Sequence, residues 1–210
     1  MNIVIDNMCE SLEKVSLSSR IHNILMLHGS MSNKETMEKI SHVLIRKGVK
    51  RGFNFFFLEA PFDFPNQAGK KMWYKTNMDD YDMQTITKEE FSDDFLETSK
   101  YVCDFIEKNQ INVIVGFSQG AHITDSIITY CNTSIQKIVM ISGFSFNDDS
   151  RCMNDNIHAL NIVGEYDRIV PPHFAPSKYK NLQTLKHSNP KGHVMPSTSI
   201  MTKICDFIES

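Results

Sequence analysis

This chain of 210 residues has no long apolar run and no charge excess of one sign. No stretch approaches the roughly 18 consecutive apolar residues of a membrane span. The N-terminus offers no secretory apolar core, because Asp6, Glu10 and Glu13 interrupt it. A formal charge of −3, without a Lys/Arg cluster, gives no basic field for a nucleic-acid backbone. The five cysteines (Cys9, Cys103, Cys131, Cys152 and Cys205) are odd in number, scattered and without a CxxC pair. That pattern argues against a disulfide framework or a zinc site and for a reducing compartment. Repeats and low-complexity tracts are also missing. These absences point to a cytoplasmic protein with no nucleic-acid partner and no stable membrane insertion. With 41% hydrophobic residues the chain is long enough for one domain with a substantial core and too short for two comfortable ones.

What is present is an alternation of apolar runs and helical periodicities. Apolar runs at 22–27, 53–58, 111–115, 137–142, 159–164 and 182–186 read as strands, the first five nearly continuous in apolar character, as parallel strands buried on both faces are. Between them, Met37, Ile40 and Leu44 recur at helical spacing behind a Ser32/Glu35 capping-box pair, and Phe91, Phe95, Val102 and Phe105 do the same. Residues 121–128 can continue as a helix, and Ile200, Ile204 and Ile208 mark the inner face of a C-terminal one. Strands alternating with helices imply an α/β fold, a mainly parallel sheet of about six strands with helices on both faces. Residues 1–20 are read as an N-terminal extension with a short strand at 3–5, and 21–210 as a single domain. Within it, 62–90 loses periodicity and mixes Pro, Gly, Asn and Asp with Met72, Trp73, Tyr74, Met78 and Met83. A segment that long without clear elements is read as a lid or binding insertion.

The chemistry centres on Gly116-Phe117-Ser118-Gln119-Gly120, a GxSxG pattern between a β-branched apolar run and a helix. Five residues alone are a weak signal; the flanks make them a nucleophile elbow, a sharp strand-to-helix turn exposing a serine. Glycines beside the serine relieve collision as the chain doubles back and tolerate unusual backbone angles. In parallel sheets reactive groups gather on loops at the carboxyl ends of strands. Two later loops supply the partners: Asp167 past the fifth strand and His193 past the sixth, in the order nucleophile, acid, histidine. Asp167 also suits a turn before Val170-Pro171-Pro172, Glu165 sits nearer the strand end, and Asp148, Asp149 and Asp155 come one strand too early. His187 competes with His193, although its place near the strand fits a structural role. Two backbone donors are needed for an oxyanion: the amides of Gln119, after the nucleophile, and of Ser30, in the loop after the first strand. Flexible thioethers beside aromatics suit an apolar groove or simply tack the insertion to the core. Met31, Trp73, Tyr74 and Val194 are the residues read as substrate-contacting.

Five separated blocks carry a family resemblance: Leu27-His28-Gly29, Glu59-Ala60-Pro61, Gly116 to Ala121, Ile141-Ser142-Gly143-Phe144 and Pro190 to Pro196. Together they resemble the FSH group, the "family of serine hydrolases", over about residues 22–208, and more distantly acyl-protein thioesterases and carboxylesterases, which share the GFSQG elbow. The resemblance implies a compact α/β-hydrolase without the first antiparallel strands of larger members. It implies Ser118, Asp167 and His193 as the triad, a small-molecule carboxylic ester or thioester as substrate, often with an alkyl chain, and neither metal nor organic cofactor. Two departures stand out. The Ser30 position is commonly bulky and apolar in the family, which implies a wider or more polar pocket mouth here, and the 62–90 segment does not align closely, so substrate preference does not transfer. Acyl transfer to an acceptor other than water uses the same residues, and a non-catalytic ligand-binding module on the same fold is the reading from a different class.

Overall fold

The apolar runs pair side by side. In a computed structural model, which describes residues 21–75, 92–128, 134–145 and 156–210, six strands form one sheet: β1 (Asn23–Leu27), β2 (Asn54–Leu58), β5 (Val113–Phe117), β6 (Lys137–Ile141), β7 (His158–Gly164) and β8 (Asn181–His187). The order is β2-β1-β5-β6-β7-β8 and every pairing is parallel. The sheet reverses direction of progression at β1, between β2 and β5, so the crevice at the carboxyl ends of β1 and β5 is a topological switch point where ligands bind in such sheets.

Side chains alternate along each strand and feed two cores. Leu25, Leu27, Ile114, Ile138 and Met140 point to one, Ile24, Met26, Val113, Val115, Val139 and Ile141 to the other. The first is covered by α3 (Ser92–Lys108) and α4 (Gln119–Ile127), through Phe95, Val102, Ile106, Ile123 and Ile127. The second is covered by α1 (Lys34–Ile40), α2 (His42–Val49) and α5 (Thr198–Glu209), through Met37, Leu44, Ile200, Ile204 and Ile208. Burial on both faces is why these strands read as continuous apolar runs. No helix among the described residues is long and apolar enough to cross a membrane.

Several expectations are corrected. The cap of the first helix is Asn33, whose side chain accepts from the Thr36 amide at 2.8 Å, not Ser32. Ser32 is drawn into extended pairing with Lys71, whose amide donates to its carbonyl at 2.7 Å, so the helix begins one residue later. The helix also breaks at Ser41, turning Ile40 outward and leaving Met37 and Leu44 in the core. Residues 62–75 hold one short element pair, in which β3 (Phe62–Asp63) and β4 (Lys71–Met72) form an antiparallel ribbon. Cys103 is disulfide-bonded, which the expectation of a reducing compartment did not foresee, whereas Cys205 is free and buried. The short strand at 3–5, Phe91, the remainder of the insertion and the early acids Asp148, Asp149 and Asp155 lie outside the described residues.

Candidate active site

The elbow forms because β5 runs directly into α4. Ser118 sits at the junction with φ 54° and ψ −121°, a left-handed geometry that a serine rarely adopts and that the surrounding structure must enforce. Its amide donates to the Ile141 carbonyl at 2.9 Å, and its carbonyl accepts the first helical bonds from Ala121 and His122. Of the two purposes expected of the motif glycines, relief of collision holds and tolerance of unusual angles does not, since neither has a positive φ. A Cβ on Gly116 would lie 2.4 Å from the Gly120 carbonyl oxygen, and one on Gly120 would lie 2.4 Å from the Leu27 carbonyl oxygen. Both are glycine because backbone must approach backbone; the strained angles fall on the serine itself.

Asp167 and His193 arrive on the loops after β7 and β8. The Ser118 Oγ lies 2.8 Å from His193 Nε2, and Asp167 Oδ2 lies 2.8 Å from His193 Nδ1. A carboxylate only accepts, so Nδ1 carries the proton and Nε2 is left to accept from the serine. The other carboxylate oxygen, Oδ1, accepts from the Ile169 and Val170 amides at 3.0 and 2.9 Å. Asp167 is therefore both the turn former and the partner of the histidine, one oxygen for each. Burial alone would raise its pKa, but the His193 bond, the Val170 amide and the His193 ring together hold it below the ordinary carboxylate value.

Glu165 accepts instead from the Ser188 hydroxyl, on the exposed side. His187 is buried at the end of β8, and neither of its ring nitrogens has a hydrogen-bond partner among the described residues. Burial lowers its pKa against the pull of Asp167 and Glu165. The two loops meet at Gly192, which has φ 74° and whose Cβ would strike the Tyr166 carbonyl oxygen at 2.6 Å. Phe117, the residue before the serine, packs its ring 5.0 Å from that of His193.

The loop after β1 lies against the nucleophile. A Cβ on Gly29 would come within 3.1 Å of Ser118 Cβ, and Ser30 follows directly. His28 holds this loop: Nδ1 donates to the Gly29 carbonyl at 2.7 Å, and Nε2 accepts from the Ala60 amide at 3.1 Å. Burial lowers the His28 pKa, and the Gly29 carbonyl bond and the Glu59 carboxylate 3.1 Å away only partly offset it; with Nε2 accepting from Ala60, the ring is a neutral brace. Glu59 also accepts from the Lys34 amide at 3.0 Å, at the start of α1. The Leu27-His28-Gly29 and Glu59-Ala60-Pro61 blocks are thus one structural unit.

For Trp73 and Tyr74 burial favours the tack to the core over the groove wall. Both are wholly buried, so they brace the elbow from beneath and do not wall an open groove. The Trp73 indole N–H donates to the His28 carbonyl at 2.7 Å. The Gln119 side chain accepts from the Trp73 amide at 2.8 Å and donates to the Tyr74 carbonyl at 3.1 Å. The Tyr74 hydroxyl meets His122 Nδ1, and His122 packs on Phe144 with ring centres 4.1 Å apart. Met31 is 42% exposed beside Ser30, and Val194 is half-buried beside His193. Sequence reading missed the side-chain roles of Gln119, His122 and Phe117, which only spatial neighbours reveal. It also missed Ser142, in left-handed backbone after β6 (φ 49°), whose buried hydroxyl faces Asp167 without a well-formed hydrogen bond and adds to the lowering of its pKa.

Residues 18–204 match the profile of the family described as serine hydrolase (FSH1). Solved structures of similar shape include SOBER1 of Arabidopsis thaliana, at a TM-score of 0.71 and 20% identity over 90% of this chain and 97% of that one. Esterase PE8 superposes at 0.69 with 14% identity over 89% and 91%, and a carboxylesterase from Mesorhizobium loti at 0.65 with 15% identity over 89% and 88%. At these identities the likeness is one of fold. No curated protein sequence matches.

Proposed function

The chain belongs to the FSH1 family of serine hydrolases, and from that premise we propose that it cleaves carboxylic esters or thioesters through Ser118, His193 and Asp167. The observation that carries this reading is the single imidazole bridging the serine hydroxyl and the carboxylate, at 2.8 Å on each side. As Ser118 Oγ attacks the acyl carbonyl, His193 Nε2 takes its proton, and Asp167 holds the tautomer and stabilises the cation. The proton passes to the departing alcohol or thiol, leaving an acyl-serine. Water then gives its proton to the same nitrogen, attacks the acyl group and releases the acid. The amide of Gln119, at the open first turn of α4, and that of Ser30, on the loop packed against Ser118, receive the oxyanion. Each such donor contributes about 3 kcal/mol in comparable sites. Met31 and Val194 retain a role in contacting substrate; no step requires a metal or organic cofactor.

Hydrolysis of p-nitrophenyl acetate tests the reading. Ser118→Ala is expected to lower turnover at least about 10⁴-fold without altering the melting temperature. Retained turnover would remove Ser118 from its role.

A further inference from the structure

Between the loops after β7 and β8 lies an open cavity of about 620 Å³, bordered by Tyr166, Arg168, Ile169, Lys191 and His193. Ser30, Ser118 and Gln119 do not border it. The cavity therefore opens on the histidine side of the site, away from the nucleophile and the amides proposed to receive the oxyanion. In acyl transfer the leaving atom must sit beside the histidine nitrogen that protonates it. A cavity that borders the histidine but not the serine or those amides suits the departing group better than the acyl chain.

Its wall has a distinct chemistry. Tyr166 and Ile169 expose 58% and 63% of their surfaces, an arrangement that folding does not reward and that an apolar ligand segment would cover. Asp167 and Glu165 also line the cavity and keep their charge, Asp167 bonded to His193 and the Ile169 and Val170 amides, Glu165 to the Ser188 hydroxyl. The exposed cations Arg168 and Lys191 form no ion pair among the described residues. The charged groups at the cavity with neither an ion pair nor a side-chain hydrogen bond among the described residues are therefore the two cations.

We infer that this cavity is a leaving-group subsite for esters and thioesters whose alcohol or thiol carries an apolar segment ending in an anion. The inference rests on the hydrolase reading above and adds a leaving-group preference to it.

The test compares 6-(acetylthio)hexanoate with 6-(acetylthio)hexanamide, which share acyl group, thioester and methylene chain and differ only in terminal charge. Thiol release gives kcat/KM for each. The native chain is expected to favour the carboxylate about three- to tenfold, mainly through KM, with the preference shrinking as salt is added. Arg168→Ala/Lys191→Ala should bring the ratio near one, and Arg168→Glu/Lys191→Glu should invert it. A native ratio near one, or a preference that both double variants leave intact, overturns the subsite. If the native chain cleaves neither thioester nor p-nitrophenyl acetate, the hydrolase reading falls and the subsite with it, an outcome distinct from cleavage of both thioesters without preference.

Discussion

The nucleophile and its partners are held by opposite means. Ser118 springs from β5 and α4; every residue of that helix is buried, and its side chains are tied to Trp73, Tyr74 and Phe144. Asp167 and His193 ride on loops whose neighbours Glu165, Tyr166, Arg168, Ile169 and Lys191 are exposed, joined at Gly192 by backbone contact. Strain is affordable where packing over-determines it, which is why the left-handed serine sits in the rigid half. Variation in substrate belongs to the other half, where surface side chains can change without disturbing the core.

The largest effect that tests this division is Asp167→Asn. It keeps the turn acceptor but reverses the preference for Nδ1–H on His193, and kcat is expected to fall about 10⁴-fold with little loss of stability. A drop of only a few-fold would mean that the loop half contributes geometry alone. Next comes a pair of alanines. Gly120→Ala drives a methyl into the Leu27 backbone and should cost about 3 kcal/mol in urea unfolding. Gly192→Ala should cost less stability but cut kcat/KM more than Gly120→Ala does relative to stability lost, because it shifts His193. Equal melting losses with equal activity losses would erase the contrast.

Legibility followed the same divide. The inner strands were readable because burial on both faces makes them continuous apolar runs, and the elbow because its glycines are imposed by close backbone contacts. Asp167 could be chosen over Glu165 only by its distance past the strand end; what separates them is that one carboxylate points inward to His193 and the other outward to Ser188. Trp73 and Tyr74 stayed between two readings because an aromatic pair in a stretch without periodicity looks alike whether it lines a groove or fills a core. Their partners, His28, Gln119 and His122, lie about 45 residues away in sequence, beyond any local pattern. The helix cap slipped by one because Lys71, remote in sequence, claims the Ser32 backbone.

Two smaller effects sharpen the comparison. Trp73→Phe removes the indole bond to the His28 carbonyl and should cost about 1–2 kcal/mol of stability while changing kcat/KM less than twofold. A large activity loss would move Trp73 back into the substrate site. His28 and His187 have folded pKa values below the unfolded 6.5. The unfolded chain therefore binds more protons as pH drops below that value, and stability falls with acidification by at most about 1.4 kcal/mol per pH unit for each ring. His187→Gln should flatten its share of that slope in urea melts just below pH 6.5, and an unchanged slope would deny the buried neutral state.

The central claim is that Ser118 is a nucleophile activated by His193. Mass spectrometry after exposure to a fluorophosphonate tests it most directly. The account predicts one phosphonyl adduct, on Ser118, present in the native chain and lost in His193→Ala. An unlabelled native chain, or an adduct on another serine, would contradict it.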